Sequence, residues 1–330
     1  MTRTPHLELL ATSDDAAWAE ARTALRSSIH EVDRNATDIW FAFFPFVLAR
    51  ALDRAADPAK LIQQLQLQGR FRLADQIDTS HVFLYGHRYW PQAKAAVQDL
   101  VSRADAPSGA LADVVRAVAS KVASAAGVET GLVLGISAVA LATVDQVGLA
   151  AFSAAPGKVH LDAAAAKRSP AEVLKRRARE QKPGLLGLLR SIDNRFTVTF
   201  DENREDCTFP AVNGQDLTMA GANDKRDHAA VDPRCVEGPI PIECRTAACG
   251  TCWIGVLGGE TRLSDVEDRE WRKIKEFGYL DSDEPQPIVR LACRSKVHGS
   301  VSIVVPPWNG VFGKLVEGKI DVEAGGKTES

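Results

Sequence analysis

The chain has 330 residues, 45% of them hydrophobic and 25% charged, with a formal net charge of −3. That much apolar material supports genuine cores in more than one domain, and the near-neutral balance gives no basis for nucleic-acid binding. Six cysteines, with no secretory signal read ahead of them, lead to the expectation of a cytoplasmic protein whose thiols stay reduced.

Residues 1–190 contain no cysteine and are rich in Ala, Leu and Val. Pro, Gly and Asp signals divide them into helical stretches. Ser13-Asp-Asp-Ala opens a helix running to about Asp33, with Trp18, Ala21, Leu25 and Ile29 on one face. Thr37 is the expected cap of the apolar segment 39–48, and further helices are expected over 58–68, 81–103, 109–126, 130–154 and 169–182. The run 131–144 carries no charge, but Asp145 and Gln146 interrupt it short of the roughly 20 residues a bilayer needs. A buried core helix is therefore favoured over a spanning one. The basic run 175–179 and the apolar 185–189 read as the solvated end of a helix and a linker broken at Pro183 and Gly184, with local contact to an anionic membrane surface or nucleic acid as the alternative. His81 and His87, near Tyr85, Arg88, Tyr89 and Trp90, form the densest cluster of chemically able side chains here. A separation of six residues fits one helical face poorly, which argues against a shared metal. Phe83, Trp90 and the aromatics of 41–46 read as core, and the role of this half is left open.

The second half changes character. Residues 195–200 alternate as a half-buried strand does, 201–205 read as a turn and 207–212 as the returning strand. A short helix is expected from Gly214 to Leu217 onward, strands over 253–257, 288–292 and 301–305, and a helix over 264–277 opened by a capping box with Ser264 as N-cap and Glu267 at its third position.

Within this region stands Cys244-Arg-Thr-Ala-Ala-Cys249-Gly-Thr-Cys252, followed after 40 residues by Cys293. The C-x4-C-x2-C…C spacing resembles that of the plant-type [2Fe–2S] ferredoxin family. Two bridged irons need two thiolates each, and a tight loop of small residues lets three sulfurs converge while backbone N–H groups turn toward them. Four cysteines also make a structural zinc tetrahedron, but zinc sites usually pair two C-x2-C knuckles. The resemblance, carried by about the last 115 residues, implies one [2Fe–2S] cluster on Cys244, Cys249, Cys252 and Cys293 in a β-grasp domain. The expected architecture is thus α+β: an all-α domain over 1–190, a ferredoxin-like β-grasp domain over 191–310 and a tail over 311–330.

Three departures qualify the resemblance. Ala247 stands where such loops commonly carry Gly, so a positive φ there would strain it. The polar stretch 221–235 reads as a surface insertion and a candidate partner contact, and the gap between Cys252 and Cys293 is long. Cys207 and Cys235 read as ordinary thiols rather than a disulfide or spare ligands. His298 reads as a surface histidine and Trp253 as an apolar strand residue over the site.

From residue 196 onward there are 23 acidic and 16 basic residues, a formal −7, against +4 before it. An acidic carrier suits a basic redox partner, with Asp265, Glu267, Asp268, Glu270 and the acidic run 281–284 as docking faces. No dinucleotide fingerprint, P-loop or catalytic triad is present. The expected function is single-electron transfer between a reductase and an acceptor rather than an enzyme with its own substrate, the helical domain choosing the partner. Competing expectations are a redox sensor or regulatory protein, a subunit of a larger oxidoreductase complex, and an oxidoreductase with an unrecognised cofactor in the helical half.

Overall fold

The computed structural model describes residues 4–104, 109–177, 195–279 and 286–319. The chain divides into two compact units, Met1–Arg50 with Arg72–Pro170, and Ala51–Phe71 with Ala171–Ser330. The first is helical and the second is built on a mixed sheet.

In the first unit, α1 (Pro5–Thr12), α2 (Asp15–Arg26), α3 (Glu31–Phe43) and the start of α4 (Phe46–Arg54) lead to two short 3-10 turns, Leu73–Gln76 and Tyr85–Tyr89. The second unit takes α5 (Pro58–Gln64) and β1 (Gln68–Gly69) from within this span, and α6 (Trp90–Val101), α7 (Leu111–Ala126), α8 (Gly131–Ala154) and α9 (Ala163–Ala166) complete the first. The expected helix over 13–33 breaks after Arg26 and restarts at Glu31, where His30 accepts a bond from Val32 N–H. Thr37 is no cap. It lies inside α3 and donates to the Asp33 carbonyl at 2.8 Å. The expected helix from 81 begins only at Trp90, because the Asp33 carboxylate draws the Tyr85 and Gly86 N–H groups (2.5 and 2.7 Å) into a 3-10 turn instead.

Helix α8 is the only helix among the described residues long and apolar enough to cross a bilayer, and most of it is buried in protein. From Leu132 to Val144 every residue is buried, packed by α3, α6 and α7. Gly135 permits the close approach of α3, since an added Cβ would fall on Thr37 Oγ1. Asp145 is stabilised by Trp18 Nε1, which donates at 2.8 Å, with Arg50 3.8 Å away, yet burial still pushes its carboxyl up to about 6. The helix leaves regular geometry at Gly148 (φ 78°).

The second unit also holds α10 (Pro170–Arg177), β2 (Arg195–Thr199), β3 (Thr208–Val212), α11 (Leu217–Gly221), β4 (Trp253–Gly258), α12 (Asp268–Phe277), β5 (Val289–Leu291), β6 (Val301–Val304), β7 (Trp308–Asn309) and α13 (Gly313–Val316). Five strands form one sheet in the order β3-β2-β6-β4-β5. β2 and β6 run parallel and the other neighbours antiparallel. The compact units thus do not follow a boundary at residue 190. β1 pairs with β7, which draws 51–71 into the sheet-bearing unit, and Arg177 is bonded to Glu202.

This last contact changes the reading of the basic run. Arg177 is buried in a bidentate pair with Glu202 (2.7 and 2.8 Å), itself bonded by Ser302, and Arg176 pairs with Glu205. Both guanidiniums tie α10 to the β2–β3 turn; Lys175 and Arg176 remain exposed at the helix end, as a solvated end would be, while Arg177 departs from that reading by being buried. Residues 178–194, with the apolar stretch 185–189 and the expected break at Pro183 and Gly184, lie outside the described residues, as do 281–284 and the tail beyond 319.

Helix α12 starts at Asp268 rather than Ser264. Ser264 is drawn instead to the segment after Cys293, its N–H bonding the Lys296 carbonyl and its hydroxyl accepting from Lys296 N–H. The apolar face of α12 carries Ile274 and Phe277, and on the same stripe Glu270 is fully buried. It forms a bidentate pair with Arg290 of β5 (2.9 and 3.0 Å) and accepts from Leu291 N–H at 2.8 Å. The helix is thereby fixed to the strand that ends beside Cys293.

Candidate metal centre

The four cysteines come together for two local reasons. Between Cys244 and Cys252 the loop turns through three residues of positive φ, Arg245 (54°), Ala247 (57°) and Gly250 (74°), which curls Cys244, Cys249 and Cys252 inward. The register of β4 with β5 sets Trp253 opposite Leu291, and Ala292 N–H bonds the Cys252 carbonyl at 2.9 Å, which puts Cys293 next to Cys252. Ala247 does occupy the left-handed region, where a non-glycine residue costs about 1 kcal/mol.

The thiols are arranged two and two. Cys249 donates to Cys244 across an Sγ–Sγ distance of 3.2 Å, and Cys252 donates to Cys293. Backbone N–H groups converge on them: Thr246 and Ala248 on Cys244 (3.5 and 3.2 Å), Thr251 on Cys249 and Ala247 on Cys293. Burial alone would raise the Cys244 thiol, but these donors outweigh it and bring it down to about 6. In the inner pair the bond donated by Cys252 holds its own thiol far up and brings Cys293 down. Each pair thus sets a thiol shifted up beside one shifted down. Cys252 and Cys293 are buried, whereas Cys244 and Cys249 are half-buried.

Among the described residues, no three His, Cys, Asp or Glu side chains are grouped to hold a single metal ion. Two pairs of sulfurs flanked by N–H donors are what a binuclear cluster uses, with two thiolates to each iron, so the donor set fits a [2Fe–2S] group. Residues 200–298 match the family model for a 2Fe-2S iron-sulfur cluster binding domain. All four cysteines lie inside the match, and no family model matches the N-terminal part. No curated protein and no solved structure matches the chain.

Behind this 2Fe-2S domain's cysteine loop lies an aromatic wall. Trp253 is buried, stacks on Tyr279 (ring centroids 3.9 Å apart, 10° between planes) and donates to the Trp308 carbonyl at 2.8 Å, as an apolar strand residue covering the site would. Tyr279 and the buried Glu270–Arg290 pair escape sequence reading. For Glu270 the signal was a carboxylate on an apolar helical stripe.

The remaining cysteines are free, buried thiols. Burial pushes Cys207 up to about 11 and Cys235 up to about 12, so both are poor nucleophiles and ligands. His298 is exposed and bonds Asn213 at 3.1 Å. The insertion is tied down: Arg226 and His228 pair with Asp224, and Arg234 pairs with Asp232 while reaching Asn309 of β7. Of the expected acidic docking face, Glu270 is buried and Glu267 pairs with Arg294, leaving Asp265 and Asp268.

His81 and His87 do meet, through Nδ1 atoms 2.9 Å apart in the buried interior of the first unit. His160 N–H donates to His87 Nε2 at 2.8 Å, so neutral His87 carries its proton on Nδ1 and donates it to His81. That tautomer leaves no lone pair on His87 for a metal. The two histidines, six residues apart in sequence, are thus brought together as hydrogen-bond partners by the 3-10 turn that carries His87.

Proposed function

We propose that the second unit is a one-electron carrier binding one [2Fe–2S] cluster through Cys244, Cys249, Cys252 and Cys293. The observation that carries this reading is the two-and-two pairing of thiols, fed by N–H donors, inside the matched domain. Such a cluster supplies a one-electron couple, for plant-type centres near about −400 mV. Cys244 and Cys249 reach toward solvent, which favours exchange with a partner at that edge, while Cys252, Cys293 and the aromatic wall keep water from the inner side. The five-stranded mixed order, with α12 packed against its edge strand β5, supports a β-grasp fold. We take the partners to be a reductase and an acceptor oxidoreductase in the cytoplasm, with the helical unit selecting among them.

The test is iron and sulfide analysis with electron paramagnetic resonance on anaerobically purified, dithionite-reduced protein. Two irons, two sulfides and about one half-integer spin per chain are expected. Cys249→Ser should lose or severely weaken the signal and Cys207→Ser should keep it; zinc in place of iron in wild type would end this reading.

A further inference from the structure

Tyr279 follows α12, far in sequence from the cysteine loop, yet its hydroxyl reaches that loop. It lies 3.0 Å from the Gly250 carbonyl and 2.8 Å from the Gly310 carbonyl, and accepts from Gly310 N–H at 3.3 Å. Burial holds the phenol far above its ordinary value, so it remains a donor across the accessible range. A single hydroxyl proton serves two carbonyls, one on the cysteine loop and one on the segment after β7. The contact is tight: a Cβ added to Gly250 would sit 2.9 Å from this hydroxyl and 2.8 Å from the Phe277 ring.

The peptide joining Gly250 to Thr251 is trans, so its C=O and N–H point in opposite directions. Holding the Gly250 carbonyl against Tyr279 turns the Thr251 N–H the other way, toward the Cys249 sulfur. N–H donors aimed at cluster sulfurs stabilise the more negative, reduced state and raise the potential. The geometry points to Tyr279 as a positioning residue that sets the reduction potential by aiming the Thr251 N–H at Cys249.

This inference rests on the [2Fe–2S] reading above. The experiment therefore first counts two irons and two sulfides in wild type, which tests that reading alone. Redox titration followed by visible absorbance then compares wild type with Tyr279→Phe, which keeps the ring stacked on Trp253 and removes only the hydroxyl. The expected result is a loaded variant with a more negative midpoint, its reduced-to-oxidised ratio at fixed potential falling up to about tenfold, which is about 59 mV for one electron. Tyr279→Leu, lacking ring and hydroxyl, should shift at least as far. An unchanged midpoint in loaded Tyr279→Phe overturns the inference, and so does loss of the cluster from that variant while wild type stays loaded, since that marks a structural role only.

Discussion

The Glu270 carboxylate and the Arg290 guanidinium are both out of contact with water, and their two bonds join the helix to the strand that delivers Cys293. Removing one partner strands the other as a buried charge, a loss of about 3–5 kcal/mol. The neighbouring Glu267–Arg294 pair is exposed and is worth at most about 1 kcal/mol. Glu270→Ala is thus expected to lower the thermal midpoint of the second unit by on the order of 10 °C, and Glu267→Ala by no more than about 4 °C. Equal shifts in parallel thermal melts would contradict the argument. The contrast also marks what a sequence reveals at this scale. Three of the cysteines lie within nine residues, so their spacing alone points to the chemistry. Glu270 reads in sequence as one more acid of a docking face, because its partner is 20 residues away and becomes a neighbour only when β5 joins the sheet.

Among elements, strands read well from the sequence because alternation is local: all five strands of the main sheet fall within a residue or two of expectation. Helix starts read less well, since distant groups settle them, as Asp33 does for the turn at Tyr85 52 residues later. The association of 51–71 with the sheet-bearing unit was equally hidden, resting on a two-residue strand pairing with β7. The α3–α8 contact allows a quantitative test. On helix propensity alone Gly135→Ala should stabilise α8 by about 1 kcal/mol. The new methyl would meet Thr37 Oγ1, however, and overpacking of this kind costs about 1–3 kcal/mol. Crowding should win, so Gly135→Ala is expected to lower the helical melting point followed by circular dichroism at 222 nm. Gly135→Ala with Thr37→Ala removes the obstructing atoms and should recover most of the loss, a coupling readable from a double-mutant cycle. A single Gly135→Ala variant more stable than wild type would show that the helices separate at no cost.

At the scale of the whole molecule, acid should act on the two units through different groups, and in the helical unit three buried groups oppose one another. His87 is held down to about 4, first by burial and then by the field of His160, and burial also holds His81 well below its ordinary value. Both rings are neutral when folded, whereas in the unfolded chain they take up protons below about pH 6.5. Their contribution to stability is therefore complete above that pH and declines as pH falls toward 4. Asp145 works the other way. Its folded carboxyl titrates at about 6 and its unfolded one near 3.8, so between those values the folded state binds the extra proton and gains stability on acidification. Between pH 6 and 4 two histidine protons favour unfolding and one carboxyl proton favours folding. The net is about one proton, or ~1.4 kcal/mol lost per pH unit of acidification. Asp145→Asn removes the compensating proton, and the slope of helical stability against pH should then roughly double over the same window. Chemical denaturation followed at 222 nm at several pH values measures both slopes. Identical slopes in wild type and Asp145→Asn would mean that the carboxyl buried beside Trp18 is already ionised throughout, and that Arg50 offsets its burial in full.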